Sequence, residues 1–215
     1  EHDQIRSKVE KKNIYSILDF GENGFKGVKI ETIGLVLNGK KAKDNQVKFY
    51  SYTNKNYILQ SQDYIIDPKF PYWLLYRDKF FDEVCKKMEF GVFNFFRDRQ
   101  ITKKHTLNKG KIRVLKSRNI SNNNIVSLDG YDTYLNEIDS FAVSKYLNKK
   151  NVYLVPNLTY YPRACKLPEN SIVDGSAALL FPKKNKKIKN KQLEFFASKE
   201  FTAFYRIARN FGTRS

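Results

Sequence analysis

GENGFKGVKIETIGLVLN, residues 21–38, sets a glycine-rich loop directly before a run of β-branched and aliphatic residues. Gly21, Gly24 and Gly27 stand so close together that the chain there must turn sharply or approach something closely. The following VKIETIGLVLN ends in the continuous apolar run IGLVL, the pattern of a strand buried on both faces. Upstream, NIYSILDF (13–20) is a short apolar run that reads as another buried strand. Downstream, VKFYSY (47–52) follows the polar turn GKKAKDNQ (39–46) and reads as a third. Residues 13–53 are therefore predicted to run strand, loop, strand, turn, strand.

Working outward, the first dozen residues read as the end of a helix or a tail. The proline and aromatic cluster DPKFPYWLLY (67–76) breaks the strand pattern and marks a boundary, giving domains 1–66 and 67–215. Between Asp78 and Glu89, apolar Phe80, Phe81, Val84, Cys85 and Met88 recur at helical spacing among charges. From Phe90 to Leu128 the pattern changes to short strands and polar turns, including IRVL (112–115) and SNNN (121–124). A short helix is expected over 140–147. NVYLVPNLTYYPRA (151–164) reads as strand, proline-bounded loop, strand, and SAALLF (176–181) as one more strand. The closing LEFFASKEFTAFYRIARN (193–210) is again helical in its spacing. Neither a repeat nor a sustained heptad pattern is visible. The expected class is α+β, with β dominant in the middle.

Charge bounds the partner. The 215 residues carry 40 Lys+Arg against 22 Asp+Glu, a net +18 at pH 7, which calls for a polyanion. Abundant Lys, Asn and Ile also fits an AT-rich genome, which discounts part of the lysine excess. The longest apolar runs, 33–37 and 177–181, fall far short of the roughly 20 residues a membrane-spanning helix needs. The start EHDQIRSKVEKKN is polar and shows no signal peptide. Cys85 and Cys165 lie far apart without metal-ligand spacing, so neither a disulfide nor a zinc site is expected. These readings point to a reducing, cytoplasmic compartment. A phosphate-binding loop, a G-x-S-x-G elbow, H-E-x-x-H and a deaminase signature are all missing, and two histidines leave little for acid/base work. By itself the chain does not read as an enzyme.

Basic residues are instead concentrated. From Arg97 to Ile120, nine Lys or Arg face the single acid Asp98. Arginine and asparagine occur together in KSRN (116–119), which suits mixed contacts to phosphates and base edges. The alternative is a solvated, lysine-rich loop system. The run KKNKKIKNK (183–191) has six lysines in nine residues and reads as a surface hairpin attracting phosphate without sequence preference, with Lys187 its representative. The aromatic clusters at 70–76 and 90–96 are expected mostly to fill cores rather than to stack on bases.

The 21–38 segment also resembles the late catalytic-domain sequence of TaqI-like, gamma-class adenine-N6 DNA methyltransferases of restriction-modification systems. IRVLKSRNI (112–120) resembles the strand and Arg-Asn pair that open the family's target-recognition domain. NVYLVPNLTYYPRA with IVDGSAALLFP (172–182) resembles its later strands, and 193–210 the helix that follows. The resemblance implies a C-terminal fragment: 1–66 the remnant of a catalytic domain, 67–215 a DNA target-recognition domain. The implied partners are double-stranded DNA and the N-terminal catalytic domain of the same parent, in a bacterial or archaeal cytoplasm. S-adenosylmethionine is the parent's implied cofactor. The family's early donor-binding motif and its Asn-Pro-Pro-Tyr motif do not occur here. Phe25 matches the position implied to stack on the flipped adenine, since the base must leave the duplex to meet a methyl donor. Packing beneath the strand is its alternative.

By the same resemblance Arg118 and Asn119 are the first choice as base readers, with Arg97, Arg99, Lys103 and Lys116 as phosphate or base contacts. Asn157, Tyr160, Tyr161 and Arg163 come next. GSAA (175–178) allows close backbone approach. Alternatives are the specificity part of a fused endonuclease-methyltransferase, a non-enzymatic specificity subunit, and an RNA-binding module, for which no RNP-like aromatic signature is present.

Overall fold

A computed structural model describes residues 2–183 and 186–212. The chain folds as two compact units, the first running through Asp82 and including the segment that starts at Arg206, the second spanning Glu83–Tyr205.

In the first unit, α1 (His2–Glu10) leads into β1 (Lys12–Gly21), β2 (Thr32–Lys40), β3 (Gln46–Ser51), β4 (Asn56–Ser61) and the single turn α2 (Gln62–Ile65). The strands form one sheet in the order β2-β1-β3-β4, with β1 and β3 parallel and the other pairs antiparallel. The order expected over 13–53 is thus present. β3 shows why the sheet has one buried face: Val47, Phe49 and Ser51 are buried and alternate with exposed Gln46, Lys48 and Tyr50. Register places Ile17 beside Phe49 and Asp19 beside Ser51. Tyr76 covers that face, its ring edge-on to Phe49 at 5.0 Å and its hydroxyl bonded to the Asp19 carboxylate and, at 2.7 Å, to Ser51. Burial raises the Tyr76 pKa, and the Asp19 carboxylate adds to it.

One expectation is corrected. The IGLVL run is not buried on both faces, because β2 is the outer strand of the sheet. Ile33, Leu35, Val36 and Leu37 are 36–47% exposed. A continuous apolar run is the signature both of a strand enclosed on each side and of an edge whose outer neighbour belongs to something else. The face opposite Tyr76 is also open, with Tyr50 paired to Tyr57 and to Leu18 and with Tyr15 and Leu59 exposed. Long apolar edge strands invite pairing with other chains. The protein is accordingly expected to self-associate at high concentration, and Leu35→Lys to shift it toward monomer in light scattering while leaving its circular dichroism unchanged.

Residues 67–76 belong with this first unit rather than opening the second. Leu74 N–H donates to the Ile65 carbonyl at 3.0 Å. Asn210 holds the same stretch, accepting from the Leu75 N–H at 2.7 Å and donating to the Trp73 carbonyl at 2.8 Å. Backbone pairing over this span of sequence leaves no pattern in the sequence itself. The amphipathic helix forms as α3 (Lys79–Lys86), started by Asp78, whose side chain accepts from the Phe81 N–H at 2.8 Å.

The second unit is β-rich. Its strands are β5 (Phe93–Phe96), β6 (Ile112–Leu115), β7 (Ile120–Ser121), β8 (Asn124–Ile125), β9 (Thr133–Leu135), β10 (Tyr153–Pro156), β11 (Cys165–Lys166), β12 (Ser171–Val173) and β13 (Ala177–Pro182). Two small sheets, β11-β10-β13-β5 and β12-β6-β9, share one core built on Val114, Leu115, Val143, Leu154, Ile172, Ala177 and Leu179, and β7 pairs with β8. The 140–147 segment is a 3-10 helix, Ala142–Tyr146, rather than an α-helix. The expected C-terminal helix is two, α4 (Asn190–Phe195) and α5 (Lys199–Ala208), separated where the Ser198 hydroxyl caps the Phe201 N–H at 3.0 Å. The architecture is α+β with strand in excess. Among the described residues no helix is long and apolar enough to cross a membrane.

Candidate nucleic-acid interface

Four separate segments of the second unit meet through hydrogen bonds: 97–99, 116–120, 157–163 and 174–176. Arg97 donates from Nε to the Gly175 carbonyl at 2.8 Å. The Asn157 amide, oriented with its oxygen toward Arg97, accepts from that guanidinium at 3.0 Å. Asn157 N–H donates to the Ser176 carbonyl at 2.9 Å, and the Ser176 hydroxyl accepts from the Ser117 N–H at 3.0 Å. Asp174 fixes that hydroxyl at 2.6 Å. Gly175 is required here, since a Cβ at this position would stand 2.9 Å from the Asp98 carbonyl oxygen.

Arg163 ties the remaining two segments together. Its Nε donates to the Ile120 carbonyl at 2.5 Å and its Nη2 to the Ser117 carbonyl at 3.0 Å, while Nη1 holds the Thr159 hydroxyl at 3.2 Å and the Tyr161 carbonyl at 2.9 Å. Burial lowers its pKa. This arginine is therefore a brace, and its donors are spent on protein carbonyls rather than offered to a ligand.

Asn119 is likewise internal. It is fully buried, its Oδ1 accepting from the Lys116 N–H at 2.9 Å and its Nδ2 donating to the Val126 carbonyl at 3.1 Å and to Asp132 at 2.6 Å. In this geometry it shapes the turn and presents nothing to a base edge, because every amide position already has a protein partner. What the turn presents is Arg118, exposed and with its guanidinium 4.8 Å from the Tyr131 ring centre. Lys116 shares that ring at 4.7 Å and donates to the Tyr131 carbonyl at 2.9 Å. Lys103 and Lys116 also line an open cleft of about 1060 Å³ with Asp129, Tyr131, Tyr134 and Asp174.

Arg99 is exposed, and the acid between it and Arg97 is neutralised as a surface feature: Asp98 is buried, accepting from the Gln100 and Ile101 N–H groups at 3.0 and 2.7 Å. Arg113, counted in the basic cluster, faces inward and pairs with Asp132 at 2.7 Å. Lys187 is exposed, while Lys184 and Asn185 of the same lysine run lie outside the described residues. Tyr160 and Tyr161 are exposed, as is Leu158 between them and Asn157. Phe95 on β5, expected to fill a core, is also exposed.

Sequence reading missed Tyr131 and Leu158, and took Ser176 only as part of the small-residue stretch GSAA (175–178). A Tyr within GYDTY gives no signal that two cations will share its face, whereas Leu158, an aliphatic between polar turn residues, could have been singled out. In the first unit Phe25 lies on the β1–β2 loop, 61% exposed and not packed beneath a strand. A lone bridge between Phe25 and Val28 narrows that loop, and Gly27 turns it with φ +78°. The sequence matches no family model and no curated protein.

Proposed function

We propose that the second unit binds duplex DNA and reads its sequence, as the recognition part of an adenine-N6 DNA methyltransferase. The observation that carries the first half is that the segments bearing exposed Arg97 and Arg118 are tied to the Asn157–Tyr161 loop through Asn157, Arg163 and Ser176. Phosphate contacts position such a protein, and a bidentate arginine reads guanine. Arg118 is the proposed reader, Arg97, Arg99, Lys103 and Lys116 the groups that hold backbone phosphates, and Lys187 a non-specific tether. Asn119 and Arg163 serve the site from inside.

The second half rests on the sequence resemblance of four blocks in the family's order, together with two features of the first unit. Phe25 stands exposed on a glycine-bounded loop, where an aromatic that stacks on an extruded base would have to stand. The open edge of β2 is suited to a further strand from the N-terminal catalytic domain of the parent chain. S-adenosylmethionine would supply the methyl group there. The motifs that hold the donor and the target base do not occur in this sequence, so no transfer step falls to its residues.

The test is a titration of a duplex with the protein across salt. Affinity is expected to fall as salt rises, with a slope of about −0.9 per phosphate contacted. Arg118→Ala is expected to erase preference among duplex sequences, whereas Lys187→Ala lowers affinity for all alike and flattens the slope by about one. Salt-independent binding, or identical behaviour of the two variants, removes the reading.

A further inference from the structure

The DNA reading assigns contacts to the 157–163 loop but no reason for its apolar tip, and the inference drawn here rests on that reading. Leu158 and Tyr160 are each 53% exposed and Tyr161 is 72% exposed, side by side on one short loop. An isolated surface apolar residue is ordinary. Three within four positions, on a protein of net charge +18, form a prow with no polar function of its own.

This prow is rigidly mounted. Pro156 and Pro162 bound it, both buried. Inside it the Thr159 hydroxyl accepts from the Tyr161 N–H at 3.1 Å, closing a local turn, and Arg163 grips the Thr159 hydroxyl and the Tyr161 carbonyl from below. Each of its ends is tied to a segment that carries an exposed cation. Arg97 contacts Asn157 at one end, and at the other Arg163 bonds the carbonyls of Ser117 and Ile120, the residues on either side of the turn that carries Arg118.

We propose that Leu158 and Tyr161 form a wedge that enters a base step of duplex DNA, unstacking it, while Arg97 holds a backbone phosphate beside the step and Arg118 reads a neighbouring base. A wedge needs an apolar tip, a mount that does not yield when pressed against a base stack, and a cation that anchors the backbone near the opened step. The loop has all three. A flexible loop of the same composition would fold back over its own apolar residues, and the Arg163 brace prevents this. The wedge also gives the recognition unit a part in base extrusion beyond reading sequence, since opening a step lowers the cost of rotating its base outward.

Unstacking costs a few kcal/mol in paired DNA and far less at a mismatch. A short duplex with one central mismatch, compared with its fully paired counterpart, therefore reports the wedge. The wild-type protein is expected to bind the mismatched duplex about tenfold more tightly, a ratio equal to 1.4 kcal/mol. In Leu158→Ala/Tyr161→Ala the ratio should fall to about one, with binding to the paired duplex still salt-dependent. Both residues are exposed, so the variant's thermal unfolding should match the wild type. Equal wild-type affinities for the two duplexes, or a ratio unchanged in the variant, overturns the wedge and leaves DNA binding standing. Failure to bind either duplex overturns both readings. Stronger binding to the single strands than to the mismatched duplex also overturns the wedge, in favour of a stacking platform.

Discussion

Asn119→Ala is expected to lower the stability of the second unit by about 3 kcal/mol, a large loss for one polar side chain. The side chain is fully buried, and three groups depend on it: the Lys116 N–H, the Val126 carbonyl and the Asp132 carboxylate. Removing it leaves a backbone donor, a backbone acceptor and one oxygen of a charged group without their partner, and the cost of an unmet buried group exceeds the net worth of the bond. Asp132 remains bonded to Arg113, which limits the damage to that carboxylate. Urea unfolding measures the loss. The neighbouring Arg118→Ala should change stability by less than about 0.5 kcal/mol, because Arg118 is exposed. The pair of variants separates two roles that sequence joins. If Asn119→Ala kept wild-type stability and lost preference among DNA sequences, Asn119 would be a reader and its internal placement would not describe the bound protein.

That contrast shows where sequence stops being legible. The Arg-Asn pair is legible as a basic turn, since charge density and turn-forming residues are local properties. Which of the two faces outward depends on Asp132 and Val126, and nothing near residue 119 announces them. Arg163 is the same case. It reads as a free cation in a basic loop, yet its donors go to carbonyls at 117 and 120, more than forty residues back in the chain. Strand periodicity fared better, because it is set by each strand's own residues: β3 alternates as Val47, Phe49 and Ser51 predict, and β6 falls on IRVL. The run at 33–37 marks the limit of that method. It establishes a strand of uniform apolarity, and only the sheet order β2-β1-β3-β4 shows that the strand is an edge. The boundary drawn before residue 67 missed for a related reason. Proline and aromatic residues mark a change of local structure, whereas unit membership is decided by Tyr76 reaching Asp19 and Asn210 reaching Trp73 and Leu75.

The same hidden partnership gives the first unit its largest expected polar effect. Arg77 is nearly buried, bonded at 2.8 Å to each of Asp67 and Asp82 and to the Tyr64 carbonyl at 3.1 Å, with its guanidinium 4.2 Å from the Tyr64 ring centre and 5.0 Å from that of Phe70. Arg77→Leu keeps apolar volume over those rings but strands two carboxylates. Breaking a buried pair from one side costs about 3–5 kcal/mol, and the partial exposure of Asp82 places the expected loss near 3. Burial alone would push the Asp67 carboxyl up, but the Lys69 N–H and Arg77 more than reverse this and hold it below its ordinary 3.8. A carboxyl depressed in the folded state contributes its stability in full above its unfolded pKa and loses it as pH falls through the folded one. In the variant the Arg77 share of that depression is gone. The stability difference between wild type and Arg77→Leu should therefore be full at pH 7 and shrink steadily below about pH 4, as the Asp67 carboxyl protonates and the charge Arg77 leaves unpaired there disappears. Urea titrations at pH 7 and pH 3 measure it. A difference that stayed constant across that range would assign the effect of Arg77 to packing against Tyr64 and Phe70 rather than to charge.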